Sequence, residues 1–124
     1  MRAFGELEAA IMQVVWSHSE PVTVRTIAEE LSSERPLAYT TVSTITERLR
    51  AKGALTRVRV GRCFEYAAVQ SAEAYAAQLL GEALRSAASP SAVFMHFAGQ
   101  LDQDEAAAFR AALDQRSAET DESG

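Results

Sequence analysis

The sequence has 124 residues, which suits one domain, or one compact module with an appended element, and excludes a large multidomain enzyme. Hydrophobic residues make up 48% of the chain and charged residues 23%, a balance typical of globular proteins with an apolar core. The single cysteine, Cys63, excludes an internal disulfide and a thiolate metal cage within one chain.

The sequence contains no apolar run long enough to cross a membrane. The first predicted helix contains Glu6 and Glu8, and it lacks the basic start and the cleavage pattern of a secretion signal. We therefore expect a cytoplasmic protein without membrane insertion.

Charge is distributed unevenly along the chain. The formal net charge is −5, but residues 1–70 have nine Lys or Arg and eight Asp or Glu, whereas residues 71–124 have three and nine. The fifteen residues 48–62 contain no acidic side chain and six basic ones, namely Arg48, Arg50, Lys52, Arg57, Arg59 and Arg62. Such a stripe is typical of a phosphate-binding surface, although a solvated charged face has the same composition.

Apolar residues at helical spacing predict three helices in the first half of the chain. The first covers about residues 5–17, the second is short and begins at the cap Thr23, and the third runs from about Tyr39 to Gly53. Their apolar faces contain Leu7, Ile11, Val14 and Val15; Val24, Ile27 and Leu31; and Ala38, Val42, Ile45 and Leu49. Trp16 lies on the other side of the first helix, and we expect it to pack against the hairpin described next or against the fourth helix.

Strand-like segments follow at residues 54–60 and 63–69, separated by Gly61 and Arg62. Their β-branched and aromatic residues predict a hairpin with Arg62 near its tip and with Cys63 as a strand residue. Three helices followed by a hairpin are the element order of a winged helix-turn-helix. In that fold the third helix enters the major groove of DNA and the hairpin, called the wing, lies along the DNA backbone.

Helical periodicity returns after Ser71 and predicts three more amphipathic helices. Ser89 and Pro90 begin the second of them, and Asp102 and Glu105 form a capping box at the third. These helices offer too small a core to be stable alone, so we expect them to pair with a second copy of the chain. The predicted dimerisation residues are Leu79, Leu80, Leu84, Val93, Phe94, Phe97, Leu101, Phe109 and Leu113.

The predicted architecture is therefore mainly α with a small β-hairpin. It has an N-terminal winged helix-turn-helix domain over residues 1–70 and a C-terminal three-helix dimerisation region over residues 71–117. Residues 118–124 are polar and acidic, and we expect them to be a disordered tail.

The exposed face of the third helix is small and rich in hydroxyl groups. At about 100° per residue, Thr40, Ser43, Thr44 and Glu47 lie opposite the apolar face. Threonine contacts base edges and phosphates, whereas a face that serves only helix stability is richer in Glu, Lys, Gln or Ala. This face therefore favours DNA contact. Glu47 either accepts a hydrogen bond from cytosine or pairs with Arg50, and we favour the pair.

Basic and capping residues around this face are candidates for phosphate contacts. Arg48 and Arg50 flank the third helix, and Arg62 lies at the hairpin tip. Thr23 and Arg25 lie at the start of the second helix, where a helix N-terminus favours anions. A simple N-cap explains Thr23 equally well.

The sequence lacks the residue pattern of a catalytic or metal site. His18 and His96 are isolated, there is no glycine-rich phosphate loop, and Cys63 has no neighbouring histidine. We expect no enzymatic activity, no metal site and no cofactor.

Motifs over nearly the whole chain resemble the penicillinase-repressor family, the BlaI/MecI/CopY-type transcriptional regulators. They are Leu7-Glu8, Ile11-Met12, Trp16, Ala38-Tyr39-Thr40-Thr41-Val42, Thr44, Arg48-Leu49, Lys52-Gly53, Gly61-Arg62 and Tyr66. The resemblance implies a homodimeric repressor that binds a palindromic DNA operator. It also implies that the base-contacting region comprises Tyr39, Thr40, Thr41, Ser43, Thr44 and Arg48, with Arg62 in the wing.

The resemblance further implies a way of releasing DNA. Copper-responsive members have a cysteine-rich C-terminal end, which this sequence lacks, so direct copper sensing is disfavoured. In β-lactam-responsive relatives, a membrane sensor's protease triggers cutting at an Asn-Phe bond in the dimerisation region. The nearest match here is His96-Phe97, in which the Asn is missing. We expect a repressor of β-lactam-response type, released by proteolysis or by another signal, with a membrane sensor protease pathway as a candidate partner.

Two other functions fit the same residues. A winged helix that binds proteins rather than DNA would use the acidic C-terminal half as its contact surface. A ligand-sensing winged-helix regulator would bind a small molecule between its C-terminal helices.

Overall fold

The computed structural model of the chain describes residues 4–34 and 36–123, with side chains up to residue 120. This part of the chain contains six helices and three strands. In order they are α1 (Glu6–Ser17), β1 (Val22–Thr23), α2 (Val24–Ser32), α3 (Tyr39–Ala51), β2 (Leu55–Val60), β3 (Cys63–Ala68), α4 (Ala72–Ser86), α5 (Pro90–Ala98) and α6 (Gln103–Ser123). The chain forms two compact units, Met1–Leu80 and Gly81–Gly124. None of the described helices is long and apolar enough to cross a membrane.

The core of the first unit joins α1, α2 and α3 to the sheet. Ile11, Ile27, Val42 and Leu49 are completely buried, and Leu55 of β2 is nearly so. Each such side chain contributes about 2 kcal/mol through removal of its apolar surface from water. The predicted apolar faces of the three helices therefore form this core, with the differences in α3 described below.

Two predicted helix boundaries have clear physical causes. The backbone N–H of Thr26 donates to Oγ1 of Thr23 over 3.2 Å, so Thr23 is the N-cap of α2, as predicted. Gly53, just beyond α3, has φ of 88°, a conformation in which residues with a Cβ are strained. Glycine at this position ends the helix and turns the chain into β2.

The apolar face of α3 differs from the prediction at two positions. Ala38 is the exposed N-cap of the helix rather than a core residue. Thr46 is completely buried, and its hydroxyl donates to the carbonyl oxygen of Val42 over 2.7 Å. A buried hydroxyl without a partner would destabilise the core, but this hydrogen bond supplies the partner. Thr46 can therefore lie on the apolar face of α3.

The sheet has three antiparallel strands in the order β1-β3-β2. The hairpin pairs Arg57 with Tyr66 and Val60 with Cys63, and Gly61 turns the chain at its tip with φ of 62°. The predicted hairpin is therefore present, with Cys63 as a strand residue. β1 adds a third strand, because Val22 pairs with Tyr66 on the other edge of β3.

An aromatic cluster attaches the start of α4 to the first unit. The ring of Tyr75 stacks on that of Phe4 with centroids 4.4 Å apart, and it lies 5.7 Å from Trp16. The indole Nε1 of Trp16 also donates to the carbonyl oxygen of Gln70 over 3.0 Å. These contacts confirm that Trp16 packs on the fourth helix, and they extend the first unit to Leu80, beyond the expected boundary at residue 70.

The second unit contains the remainder of α4 with α5 and α6. Ser89 caps α5 through a hydrogen bond from the backbone N–H of Ala92, with Pro90 in its first turn. Asp102 and Glu105 cap α6 reciprocally, over 2.7 and 3.0 Å. The predicted start signals of both helices are therefore confirmed. Among the described side chains of α5 and α6, none is fully buried.

The segment predicted to be a disordered tail has a different conformation in the structure. α6 continues to Ser123, and Gly124 lies outside the described residues. The segment contains Ala and Glu, which favour helices, and neither Gly nor Pro before its last residue. Side-chain hydrogen bonds one turn apart support it, including Gln115 to Glu119 over 3.3 Å. The acidic composition misled the prediction because it does not exclude a helix that extends an existing one.

Candidate nucleic-acid interface

The hydroxyl-rich face predicted for α3 lies at the surface of the first unit. Thr40 and Thr44 are exposed and Ser43 is half-buried. Arg48, one turn beyond Thr44, is also exposed. Oγ1 of Thr44 donates to the carbonyl oxygen of Thr40 over 2.8 Å. With its proton used in this way, the hydroxyl of Thr44 presents an acceptor and a methyl group outward, which suits amino groups and thymine methyl groups of bases.

The beginning of α3, the beginning of α2 and the wing enclose an open cleft of about 600 Å³. Five predicted site residues line it, namely Thr23, Arg25, Tyr39, Ser43 and Arg62. Tyr39 is 57% exposed, and Arg62 lies exposed in the hairpin turn. The structure therefore brings together residues that are up to 39 positions apart in the sequence, as Thr23 and Arg62 are.

Thr23 and Arg25 play different parts at this cleft. The side chain of Thr23 is engaged in capping α2 and in a hydrogen bond from its own hydroxyl to Thr26 over 3.2 Å. Arg25 is exposed and reaches Glu29 one turn later over 3.4 Å, a loose surface pair of little energetic value. The guanidinium of Arg25 can therefore turn toward an anion at small cost.

The remaining predicted residues are distributed around the same surface. Thr41 is exposed in the first turn of α3. Arg50 is only partly exposed because it pairs with Glu47. Its Nε lies 3.0 and 3.1 Å from the two carboxylate oxygens of Glu47, and the predicted pair is therefore confirmed. Arg59 donates to the carbonyl oxygen of Gly61 over 3.2 Å and supports the wing turn.

Glu47 also binds two residues of the wing that the sequence did not connect to it. Nη1 of Arg57 donates to one carboxylate oxygen over 2.8 Å, and the hydroxyl of Tyr66 donates to the other over 2.8 Å. The guanidinium of Arg57 lies 4.1 Å above the ring of Phe64, a favourable cation–π contact. Glu47 therefore ties α3 to both long strands of the sheet. No spacing in the sequence indicates this, because the contacts depend on how the hairpin folds back.

The pKa values of this cluster shift in opposite directions. Burial raises the pKa of Glu47. The hydrogen bond from Tyr66 and the pairs with Arg50 and Arg57 together lower this pKa by more than burial raises it, so the net shift is downward. Burial raises the pKa of Tyr66, and its hydrogen bond to the carboxylate adds to the increase. Glu47 is therefore a stable anion and Tyr66 a stable donor at neutral pH.

His18 and Cys63, the other candidate chemical groups considered in the sequence, lie at or near the surface. Nε2 of His18 lies 2.7 Å from a carboxylate oxygen of Glu30, and Cys63 is exposed at the start of β3. In the described part of the chain, no group of three His, Cys, Asp or Glu side chains is placed to hold a metal ion.

Comparison with known proteins identifies the family. Residues 4–115 match the Penicillinase repressor family model. The Transcriptional regulator BlaI of Mycobacterium tuberculosis is 42% identical over 112 residues, which make up 88% of this chain and 81% of that protein.

Two solved structures match part of this chain. The solution structure of the DNA-binding domain of the repressor BlaI is 29% identical with a TM-score of 0.51, and the match covers 58% of this chain and 90% of that one. The monomeric form of BlaI from Bacillus licheniformis, in complex with the blaP half-operator, is 29% identical with a TM-score of 0.50 and covers 58% and 87%. The fold is thus the winged helix that the element order predicts, and the chain belongs to the penicillinase-repressor family of transcriptional regulators, which are not enzymes.

Proposed function

We propose that this chain is a homodimeric transcriptional repressor that binds a palindromic DNA operator through α3 and the wing. The observation that carries the proposal is the hydroxyl face of α3, made of the exposed Thr40 and Thr44 and the half-buried Ser43, with Arg48 and Arg62 beside it. A helix with such small side chains fits the major groove, about 12 Å wide, while the arginines at its edges reach phosphates. The likeness to a BlaI that was solved on a half-operator supports this use of the surface.

Within this proposal the site residues divide into two groups. Thr40, Thr41, Ser43 and Thr44, together with Tyr39, face the bases and select the sequence. Arg48, Arg62 and Arg25 bind phosphates and supply affinity, with the N-terminus of α2 at Thr23 as a further anion contact. Arg50, which pairs with Glu47, is a further candidate for a phosphate contact.

Dimerisation is proposed through α4, α5 and α6. Large apolar side chains are exposed on these helices: Leu80 is 57% accessible, Phe94 51% and Leu113 52%. Phe97 contacts Phe109 edge to face at 6.2 Å, and this pair offers a ready nucleus for a larger apolar core. Exposure of this extent is typical of a surface that a partner covers. We propose a second copy of the chain as the partner, with Leu79, Leu84, Val93 and Leu101 contributing from the same helices.

Release from DNA is proposed to act on the dimerisation helices. The His96-Phe97 bond lies inside α5, so a protease reaches it only after local unfolding of that helix. Incubation of the dimer with the membrane fraction of cells exposed to a β-lactam tests this route. A new fragment that ends at His96 supports a sensor protease pathway, whereas an intact chain that leaves DNA points to another signal.

Binding to DNA can be tested with variants of the two arginines beside the hydroxyl face. A duplex that the wild-type protein selects from a random pool should bind at nanomolar concentration, and its affinity should fall steeply as salt rises. Arg48→Ala and Arg62→Ala should each weaken binding about tenfold, while the control Arg110→Ala on α6 should not. Equal affinity for selected and random duplexes would exclude a sequence-specific repressor. If both arginine variants then still bind a protein partner, the result would favour the alternative of a winged helix that binds proteins rather than DNA.

A ligand-sensing regulator is the second candidate. An open groove of about 510 Å³ in the first unit is lined by aromatic and aliphatic side chains, including Phe4, Trp16, Tyr75 and Leu79. A small apolar molecule bound there should raise the thermal unfolding midpoint in proportion to the logarithm of its concentration. If no compound from an aromatic library does so, this candidate is excluded for that groove.

A further inference from the structure

We propose that Glu47 determines the specificity of DNA binding: its carboxylate holds Arg50 and Arg57 so that these arginines favour the operator over arbitrary DNA. This inference rests on the proposed function of the chain as a DNA-binding repressor. It concerns a residue on the reading side of α3 whose negative charge is otherwise unfavourable beside phosphates.

The geometry of the cluster is that of a built site rather than of a loose surface pair. Oε1 of Glu47 receives Arg50 at 3.0 Å and Arg57 at 2.8 Å, while Oε2 receives Arg50 at 3.1 Å and the hydroxyl of Tyr66 at 2.8 Å. The three charged side chains are each about one third accessible, at 35% for Glu47, 37% for Arg50 and 33% for Arg57. Both guanidinium groups are therefore fixed in orientation while part of each still faces solvent.

The cluster keeps donors available for phosphates. Arg50 uses its Nε and Arg57 an Nη1 in the bonds to Glu47, and a guanidinium has five N–H donors in a rigid fork. Phe64 supports Arg57 from below, at 4.1 Å. Phosphates that arrive in the correct register therefore meet two arginines already in position, without the loss of side-chain freedom that ordering them costs.

The same carboxylate acts against binding in other registers. Non-specific affinity depends chiefly on the number of phosphates that positive charges neutralise. Glu47 offsets one of the two arginine charges and prevents their side chains from following phosphates in an arbitrary register. The carboxylate should therefore reduce binding to random DNA more than binding to the operator.

Glu47→Gln tests the inference because it removes the charge and keeps the shape and an oxygen that accepts from Tyr66. Affinity for random duplex DNA should rise about three- to tenfold, and the plot of log K against log salt should become steeper by about 1. Affinity for the duplex selected by the wild-type protein should rise less or fall. The ratio of operator affinity to random-duplex affinity should therefore decrease.

Two further variants separate the released arginine from a general change of charge. Asp114→Asn on α6 changes the net charge by the same amount and should leave the affinity ratio at its wild-type value. Adding Arg57→Gln to Glu47→Gln should return the affinity for random DNA to near the wild-type value, because the released charge is then gone.

A role of Glu47 in folding alone predicts a different result. Loss of folded protein lowers both affinities by the same factor and leaves their ratio unchanged, and that outcome overturns the inference. Tyr66→Phe provides a second test that changes no charge: it removes one hydrogen bond to the carboxylate and should lower the ratio by a smaller factor. If the wild type prefers the selected duplex and both Tyr66→Phe and Glu47→Gln keep the wild-type ratio of operator to random-duplex affinity, the inference is refuted. The proposed function is not refuted by that result. Absence of any preference in the wild type refutes the proposed function itself.

Discussion

The carboxylate of Glu8 in α1 lies 2.6 Å from Nζ of Lys52 at the end of α3. Glu8 also accepts from the backbone N–H of Gly5 over 3.0 Å, and little of its side chain is accessible. One buried carboxylate therefore caps the first helix and holds the C-terminal end of the helix that we propose to read DNA. Glu8→Gln should lower the free energy of unfolding by about 1 kcal/mol. A larger loss is not expected, because Lys52 is half exposed and water screens its charge. Urea denaturation at neutral pH measures this loss.

The pH dependence of stability should report the same contact. The hydrogen bond from Lys52 lowers the pKa of Glu8 below its ordinary value of 4.5, and burial only partly opposes this. Its contribution is thus present above pH 4.5 and is lost as pH falls through the folded-state pKa. Glu47, whose pKa is also lowered, acts in the same direction.

Wild-type protein should accordingly lose stability as pH falls below about 4.5, and Glu8→Gln should lose less over the same range. Glu34→Gln, at an exposed position two residues beyond α2, is the control. If the free energy of unfolding decreases equally in wild type and Glu8→Gln, Glu8 does not form a stabilising ion pair with Lys52.

Trp16 should be a main determinant of the stability of the first unit. Trp16→Phe removes the hydrogen bond to Gln70 and part of the contact with Tyr75. We expect a loss of about 1–2 kcal/mol in the free energy of unfolding, since an unsatisfied carbonyl and a small cavity both remain. Circular dichroism during urea denaturation measures it. An unchanged midpoint would contradict the role of the aromatic cluster in attaching α4.

Two glycines should respond oppositely to the same substitution. Gly53→Ala forces a Cβ into φ of 88° and should cost about 1 kcal/mol. Gly99→Ala should be neutral or slightly stabilising, because Gly99 has φ of −66° and the nearest atom to an added Cβ is 3.5 Å away. Thermal unfolding of both variants tests this, and equal destabilisation would contradict the left-handed turn at the end of α3.

The dimerisation proposal predicts that a charge on the exposed apolar face separates the subunits. Phe94→Glu or Leu113→Glu should weaken the dimer at least about tenfold, because burying an unpaired carboxylate costs more than 1.4 kcal/mol. Ser91→Glu on the same helix as Phe94 serves as the control. Sedimentation equilibrium measures the dissociation constants. A monomeric wild type at micromolar concentration would contradict the proposal.

Local rules predict much of the fold because the sequence contains strong signals. Thr23, Ser89 and the pair of Asp102 and Glu105 cap helices where they are expected to, and Gly61 turns the hairpin. The short strand β1 has no such signal, because two residues become a strand only by pairing with Tyr66 and Glu65 of β3.

The candidate site was predictable where it lies on one helix and unpredictable where it joins distant elements. Helical spacing places Thr40, Ser43 and Thr44 together, and it pairs Glu47 with Arg50 one turn away. The bonds from Arg57 and Tyr66 to Glu47 depend on the fold of the hairpin over α3. Thr46 shows another limit, because a hydroxyl bonded to its own helix is buried as readily as an apolar group.

The most direct test of DNA reading by α3 is a titration of isotope-labelled protein with the selected duplex, followed by amide NMR signals. We predict that the largest shifts occur at residues 39–48 of α3 and at Gly61 and Arg62 of the wing, and that random duplex at the same salt concentration leaves the signals of Thr40, Ser43 and Thr44 less changed. Shifts confined to α5 and α6, or identical shifts with both duplexes, would contradict a repressor that reads its operator with this helix.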